Sequence, residues 1–330
     1  MLQIYTHDGL NLVASTTDGR TGGEGFDHGI WYDLNSPTRE EEQFVEQCLG
    51  IAVPTRDEMK DIEPSARLYS EAGSEFLTLT VLSNLQAHDP VKSPVTFILR
   101  NQVLVTLRYS EPTPFAAFAA TATRPGTRSY ATGEMIMVGL VEALIDRLAT
   151  VLEWTGDELD AISRGVFRST TKGATRKARN LEALIEKIGN KGDLLTLVRE
   201  SLVSIQRLAS FHQAPVAADN TVGRDVRQEL KILQRDAQAL GDHAGFLSNK
   251  VNFLLDATLG LINLEQNQII KIFSVAAVVF LPPTLVASIY GMNFDVMPEL
   301  GWQVGYPMAL GLMVASAILP YLFFKRRGWL

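Results

Sequence analysis

The sequence predicts an α/β domain at the N-terminus, then long helices that form a stalk, and two transmembrane helices at the C-terminus. Charge is the first observation behind this fold class, because residues 1–270 carry a net charge of −9 and residues 271–330 carry +2. The second observation is a pair of long uncharged runs in that C-terminal part. The third is a change near residue 130 from strand-like segments to apolar residues spaced three or four apart. We therefore divide the chain into residues 1–130, 131–270 and 271–330.

The first part contains segments that are typical of strands. They are rich in β-branched and aromatic residues and cover residues 29–34, 76–83, 95–100 and 103–109. Asn101-Gln102 lies between the last two segments and is expected at a hairpin tip. Ser36-Pro37 and the glutamates that follow predict a helix to about Leu49, with Ser36 as its N-cap and Pro37 at its first position. Proline and glycine in residues 123–133 indicate a boundary.

The second part predicts long helices. Apolar residues recur at helical spacing from residue 135 to 159, from 181 to 208, and again from about residue 220 onwards. No proline or strong helix breaker separates the third run from the first uncharged run, so we expect one helix from about residue 220 to Tyr290. At about 1.5 Å per residue this helix would be roughly 100 Å long. A single helix of that length is not stable alone, which favours packing in an oligomeric bundle.

The third part predicts two membrane spans. Residues 272–294 and 300–324 carry no charge, and their 23 and 25 residues exceed the roughly 20 that a bilayer core requires. We expect helices at about 272–290 and 304–324. Lys271 and the basic residues 325–327 flank the spans, and the connecting loop carries only acids, so both termini are predicted in the cytoplasm. The first residues lack the features of a signal peptide, and we expect a multi-pass protein of the cell inner membrane.

Composition argues against several functions. One cysteine, Cys48, excludes a disulfide framework and a cysteine-based zinc module. The acidic first part is unsuited to nucleic acid, since binding phosphates requires clustered basic residues. The sequence lacks a GxxxxGK[ST] phosphate loop, so no nucleotide cofactor is expected. Histidines occur mostly beside aspartates in sequence, and adjacent residues do not chelate together. We expect no enzyme activity and no nucleic-acid partner.

A stripe of polar and small residues runs along the first span. Steps of three or four residues from Asn267 give Ile270, Ser274, Ala277, Leu281, Thr284 and Ser288. Such a stripe is typical either of a pore lining or of helix–helix packing, and periodicity alone does not separate the two. The same stripe continues backwards to Asp256, and Pro282-Pro283 lies in the middle of the span, where it removes backbone donors.

A resemblance to a known family follows from the end of this span. The segments 290–294 (YGMNF), 297–300 (MPEL), 305–307 (GYP) and 325–330 (KRRGWL) resemble the signature of the CorA family of magnesium channels. The segment 31–34 (WYDL) is similar to the N-terminal domain of that family. The resemblance is strong over residues 250–330 and is architectural over the remainder.

The resemblance implies a funnel-shaped homopentamer with Mg²⁺ as both the transported and the regulatory ion. Gly291, Met292 and Asn293 match the selectivity filter of the family. Its pore-facing positions are matched by Asn267, Ile270, Phe273, Leu281 and Thr284, although Phe273 is larger than the aliphatic residue expected at the narrow girdle. Asp256, and less closely Asp61, match the pair that binds regulatory Mg²⁺ between subunits.

A transport mechanism follows as an expectation. A ring of Asn293 amides would hold Mg²⁺ through its water shell, and the membrane potential would drive influx. Cytoplasmic Mg²⁺ between Asp256 and Asp61 would keep the pore closed. Asp295 and Glu299 in the external loop either concentrate cations or are simply solvated acids. Co²⁺ or Ni²⁺ would also pass.

Two alternatives remain open at this point. One is a transporter of zinc, cobalt or nickel on the same scaffold, because hydrated divalent ions are alike in size. The other is a membrane-anchored signalling protein with a coiled stalk, which explains the long helices but neither the polar stripe nor the GMN turn.

Overall fold

The computed structural model describes residues 1–9, 11–16, 28–61, 63–85, 90–126, 128–168, 174–218, 224–293 and 297–327. The chain divides into two compact units. The first comprises Met1–Phe167 and Glu186–Leu254, and the second comprises Arg168–Ile185 and Leu255–Leu330.

The first unit is built on a mixed β-sheet. Within the described residues its strands are β1 (Leu2–His7), β2 (Leu12–Thr16), β3 (Trp31–Asn35), β4 (Leu68–Glu71), β5 (Ser74–Ser83), β6 (Val91–Arg100) and β7 (Val103–Arg108). They are ordered β2-β1-β3-β7-β6-β5-β4 across the sheet. Only the pairing of β3 with β7 is parallel among these neighbours, with Asp33 opposite Thr106.

Seven α-helices lie in the described part of the chain. They are α1 (Arg39–Leu49), α2 (Pro64–Arg67), α3 (Thr113–Ala122), α4 (Gly133–Arg168), α5 (Ala174–Ala218), α6 (Arg224–Tyr290) and α7 (Gly305–Arg326). Short 3-10 turns occupy Glu58–Lys60 and Pro298–Gly301. The predicted continuous helix that ends at Tyr290 is confirmed by α6.

The predicted strands are confirmed, and their ends differ from the prediction. β6 begins at Val91, four residues before the expected start, and β3 begins at Trp31 instead of residue 29. Asn101 at the β6–β7 turn adopts a positive φ of 54°, as a tight hairpin requires. β1, β2 and β4 were not predicted, because they are only four to six residues long and runs of that length give a weak local signal.

The predicted start of α1 was wrong. The N-cap is Thr38, two residues after Ser36, and the helix begins at Arg39. Thr38 and Glu41 form a capping box, in which the Thr38 hydroxyl accepts a hydrogen bond from the Glu41 amide and the Glu41 carboxylate accepts one from the Thr38 amide. This capping box satisfies two backbone N–H groups at the start of α1. Ser36, which precedes Pro37, does not form it.

One face of the sheet packs against α1 through an apolar core. Its buried side chains are Leu2, Ile4, Tyr32, Leu34, Val45, Ile51, Met59, Phe76, Ile98, Val105 and Leu107. Full burial of a side chain of this size contributes about 1.5–3 kcal/mol. The core therefore fixes the loop that carries Met59, which precedes Asp61 by two residues.

The other face of the sheet holds a buried ion pair. Arg108 Nη2 lies 2.8 Å from Asp33 Oδ2, and the two side chains are 11% and 4% exposed. The Thr106 hydroxyl donates to Asp33 Oδ1 over 2.7 Å and accepts from Trp31 Nε1 over 3.0 Å. Burial raises the pKa of Tyr5, which stacks on Trp31, to about 12, with the negative charge of Asp33 adding to the shift. Both side chains are largely buried, so each ion depends on its partner.

Parts of three long helices, α4, α5 and α6, complete the first unit. The apolar positions predicted from helical spacing are buried along them, including Leu148, Leu202 and Leu233. An ion pair of 2.6 Å joins Lys250 on α6 to Asp160 on α4. The stalk part of α6 is thus held within the unit by apolar packing and by charge.

Candidate ion pathway

In the part of the chain that the structure describes, two helices are long and apolar enough to cross a membrane. They are the C-terminal part of α6 and α7. The predicted first span, residues 272–290, ends with α6 at Tyr290, and α7 begins one residue later and ends two residues later than the predicted second span.

The apolar part of α6 has two opposite faces. The buried and half-buried positions are Val275, Ala276, Val279, Pro282, Pro283, Val286 and Tyr290. The predicted pore-lining side chains are all exposed, namely Asn267, Ile270, Phe273, Ser274, Ala277, Leu281, Thr284 and Ser288. At about 100° of rotation per residue, the centres of the two sets lie about 180° apart around the helix. The polar stripe is therefore not the surface that α6 uses for packing within its own chain.

α7 also has a stripe of buried and half-buried positions along one face. The buried and half-buried positions of α7 are Gly305, Ala309, Met313, Ser316, Ala317, Pro320 and Phe324, at helical spacing. Small residues at Ala309 and Ala317 allow two helices to approach closely. We infer that α7 packs on the face of α6 opposite the polar stripe.

Backbone oxygens become available in the middle of α6. Pro282 and Pro283 have no N–H, so neither donates to the carbonyl four residues earlier, at Val278 and Val279. The Thr284 hydroxyl donates to the Phe280 carbonyl over 2.8 Å, which leaves its lone pairs as acceptors. Val279, Pro282 and Pro283 belong to the packing face, and Thr284 belongs to the polar stripe. Of these groups, the Thr284 hydroxyl is therefore the one that can offer its oxygen to a cation or to its water shell.

The three filter candidates follow the last turn of α6. The Gly291 amide donates to the Ala287 carbonyl over 2.9 Å, and the Met292 amide donates to Ile289 over 3.3 Å. A Cβ atom added at Gly291 would lie 3.0 Å from the Ala287 oxygen, so the close turn favours glycine. Asn293 is exposed beyond this turn. A compact helix end thus presents an amide side chain to solvent.

The two acids of the loop between the predicted spans differ in whether the structure describes them. Asp295 lies outside the described residues. Glu299 is half-buried in the 3-10 turn, where its carbonyl accepts from the Trp302 amide over 3.3 Å.

The two regulatory candidates belong to different units. Asp256 is exposed on α6 in the second unit. Asp61 is exposed in the first unit, at the end of the 3-10 turn, and its carbonyl accepts from Arg67 Nε over 2.6 Å. Within the described ranges, no group of three His, Cys, Asp or Glu side chains is placed to hold a metal ion.

Together these features define a class of protein. They are the parts of a two-span metal-ion transport protein: an α/β domain, a long helix that continues into an apolar span with an exposed polar stripe, a GMN turn and a second span. Residues 26–326 match the family described as CorA-like Mg²⁺ transporter protein, and the chain belongs to this family. The resemblance drawn from segment 290–294 is confirmed.

Several known proteins are similar to the whole chain. The chain is 39% identical over 335 residues to a magnesium transport protein CorA of Pasteurella multocida (strain Pm70), with 100% of both chains covered. It is 38% identical over 306 residues to that of Escherichia coli (strain K12), with 92% of each covered.

The fold has a solved counterpart. The complete structure of the CorA magnesium transporter from Methanocaldococcus jannaschii matches with a TM-score of 0.77 at 18% identity, covering 100% of this chain and 99% of the other. At this identity the likeness concerns the fold. The predicted α/β domain, long helix and two apolar C-terminal helices are confirmed.

Proposed function

We propose that this chain transports Mg²⁺ across the cell inner membrane as the pore-forming subunit of a homopentamer. Membership in the CorA-like family supports Mg²⁺ as the transported ion, and so do two relatives that are magnesium transport proteins. In this proposal residues 1–130 form a cytoplasmic α/β domain, residues 131–270 form the long cytoplasmic helices with the stalk, and residues 271–330 form the membrane part. The basic residues at 271 and 325–327 favour both termini on the cytoplasmic side.

The observation that carries the proposal is the position of the polar stripe on α6. In the single chain this stripe is exposed and lies opposite the face that packs within the chain. In lipid an exposed row of amide and hydroxyl groups is unfavourable, because hydrocarbon offers them no hydrogen bonds. Copies of α6 arranged around an axis would turn the stripe towards a water-filled pathway and α7 towards lipid.

The groups along the stripe suit a hydrated divalent cation. Mg²⁺ prefers oxygen ligands and loses its water reluctantly. A ring of Asn293 amides can bind the water shell without the strong attraction of a carboxylate ring, which would trap the ion. Gly291 and Met292 determine where along the pore axis this ring lies. We propose that Asp295 and Glu299 raise the local cation concentration outside the ring.

A hydrophobic constriction would provide the gate. Phe273 and Leu281 are 70% and 66% exposed on the stripe, and Ile270 is 61% exposed. Rings of such side chains exclude water when helices approach one another, and a dry constriction blocks a hydrated ion. Cytoplasmic Mg²⁺ bound between Asp256 and Asp61 of neighbouring subunits would hold the helices in that closed arrangement, because the two carboxylates repel without it.

Transport is tested by uptake into proteoliposomes that contain the purified full chain. We expect Mg²⁺ uptake to increase when a negative-inside potential is imposed, because moving a charge of +2 across 100 mV releases about 4.6 kcal/mol. Uptake equal to that of protein-free liposomes under the same potential would exclude the proposal. Competition by Co²⁺, Ni²⁺ and Zn²⁺ in this assay distinguishes a magnesium transporter from a transporter of those ions.

The regulatory role is tested by Asp256→Lys. The lysine ammonium would occupy the position of the regulatory cation, and we expect uptake to lose its inhibition by Mg²⁺ inside the liposome. Asp225→Lys makes the same charge change at an exposed position in the first turn of α6 and serves as the control. Inhibition that is retained in Asp256→Lys, with the sensitivity of the control, would refute the assignment.

A further inference from the structure

A cavity with a basic lining opens on the first unit. Its volume is about 500 Å³, and its lining includes Lys60, Arg67, Lys92 and Arg207, with Glu200 as its acidic residue. The lining therefore has a net charge of +3 on a chain whose formal net charge is −7. A concave basic surface on an acidic protein concentrates anions.

Hydroxyl groups line the cavity beside the part of β5 that is not paired with β4. β4 pairs with β5 only from Ser74 to Leu77, so the later part of β5 continues beyond it. There the Thr80 amide donates to the Ser204 hydroxyl over 3.1 Å, and the Thr80 carbonyl accepts from Ser201 over 2.7 Å. Thr78 and Ser93 also line the cavity. These hydroxyls are already hydrogen-bonded within the protein: Ser204 donates to the Ser201 carbonyl over 2.7 Å, Thr78 lies 2.9 Å from the Thr96 hydroxyl, and Ser93 pairs with Ser110. They make the lining polar, and the basic side chains supply the donors for an anion.

The basic side chains differ in how far they are already engaged. Lys60 pairs with Asp57 over 3.0 Å, but both side chains are more than half exposed, so the pair is weak and an anion can compete with it. Lys92 pairs with Glu200 over 2.9 Å, which neutralises that acid. Arg67 donates to the Thr80 hydroxyl over 3.0 Å and to the Asp61 carbonyl. Arg207 is exposed and makes no hydrogen bond or ion pair with the residues that the structure describes. An arginine guanidinium of this kind is suited to bidentate binding of phosphate.

A second cavity adjoins the first and shares Leu68, Val203 and Arg207 with it. Its volume is about 890 Å³, and it presents Phe211 together with the amides of Gln206, Gln234 and Gln238. An aromatic ring with several amide groups can stack on and hydrogen-bond a planar heterocycle. The two cavities together have room for the phosphates and the base of a nucleotide.

We propose that the basic cavity binds an oligophosphate anion, with Arg207 and Lys60 as direct ligands. Two sources share this chemistry, namely an inorganic oligophosphate and a nucleoside polyphosphate. The sequence contains no phosphate loop, but this cavity is lined by side chains from a loop, two strands and a helix that are distant in sequence. The site involves binding without hydrolysis, and it does not depend on the transport function.

The test is equilibrium binding to the purified full chain in detergent, by isothermal titration calorimetry with EDTA present. EDTA removes Mg²⁺, so that chelation by the phosphates cannot imitate binding. The probes are sodium pyrophosphate, ATP, adenosine and citrate. We expect pyrophosphate and ATP to bind, and adenosine and citrate not to bind. Tighter binding of ATP than of pyrophosphate would indicate the nucleotide, and equal affinities would indicate the phosphates alone.

The variants Arg207→Gln and Lys60→Gln identify the site. Each removes a charge-assisted hydrogen bond, and we expect the affinity for pyrophosphate to fall about tenfold. Both side chains are exposed, so folding should be unaffected. Arg199→Gln, an exposed position on α5 outside the cavity, makes the same charge change and should bind as the unmodified chain does. The proposal is overturned if neither phosphate binds, if citrate binds instead, or if Arg207→Gln and Arg199→Gln have equal affinities.

Discussion

Replacing Asn293 by alanine should abolish most Mg²⁺ uptake into proteoliposomes, whatever the imposed potential. In an assembly the change removes every amide of the ring at once. Each amide would contribute about 1 kcal/mol through a hydrogen bond to the water shell of the ion, and the loss of two such bonds already corresponds to more than about a tenfold change. Because the neighbouring Gly291 keeps its backbone turn, the helix end itself should remain intact.

Gln303→Ala is the matched control for this prediction. Gln303 is an exposed amide residue in the same segment between α6 and α7, two residues before α7 begins at Gly305. Gln303 lies outside the GMN turn, so Mg²⁺ uptake by the Gln303→Ala variant should equal that of the unmodified chain. Normal uptake by Asn293→Ala would remove the filter assignment and would favour a membrane-anchored signalling protein.

Replacing Asp33 by alanine should strongly destabilise the α/β domain. The substitution leaves the Arg108 guanidinium buried without its partner, and breaking such a buried pair costs about 3–5 kcal/mol. At about 2–4 °C per kcal/mol, the thermal unfolding midpoint should fall by about 6–20 °C. Circular dichroism of the purified full chain measures this change.

An exposed ion pair provides the comparison. Asp57 lies 3.0 Å from Lys60 and its side chain is 94% exposed, so Asp57→Ala should change stability by less than about 1 kcal/mol. The double variant Asp33→Ala with Arg108→Met should recover part of the loss, because an apolar replacement removes the unpaired charge. Equal unfolding midpoints for Asp33→Ala and Asp57→Ala would show that the buried pair contributes nothing.

Much of the architecture could be predicted because its signals are local. Two uncharged runs of sufficient length indicated the spans, and uninterrupted apolar spacing indicated that the stalk helix continues to Tyr290. Edge strands such as β4 escaped prediction, because their pairing depends on a neighbour and not on their own composition. The N-cap of α1 was misplaced by two residues for a related reason. Thr38 is the N-cap because the Glu41 carboxylate reaches back to the Thr38 amide, and this contact depends on three-dimensional geometry.

The sequence by itself determined the family, the two spans and the residues on the polar stripe, since helical periodicity and the GMN motif are properties of consecutive residues. It left open whether that stripe packs or lines a pathway. Only the tertiary structure decided that α6 packs within its chain through the opposite face, because burial depends on which helix lies beside it. The basic cavity around Arg207 likewise exists only after folding, which brings a loop, two strands and a helix together from distant parts of the chain.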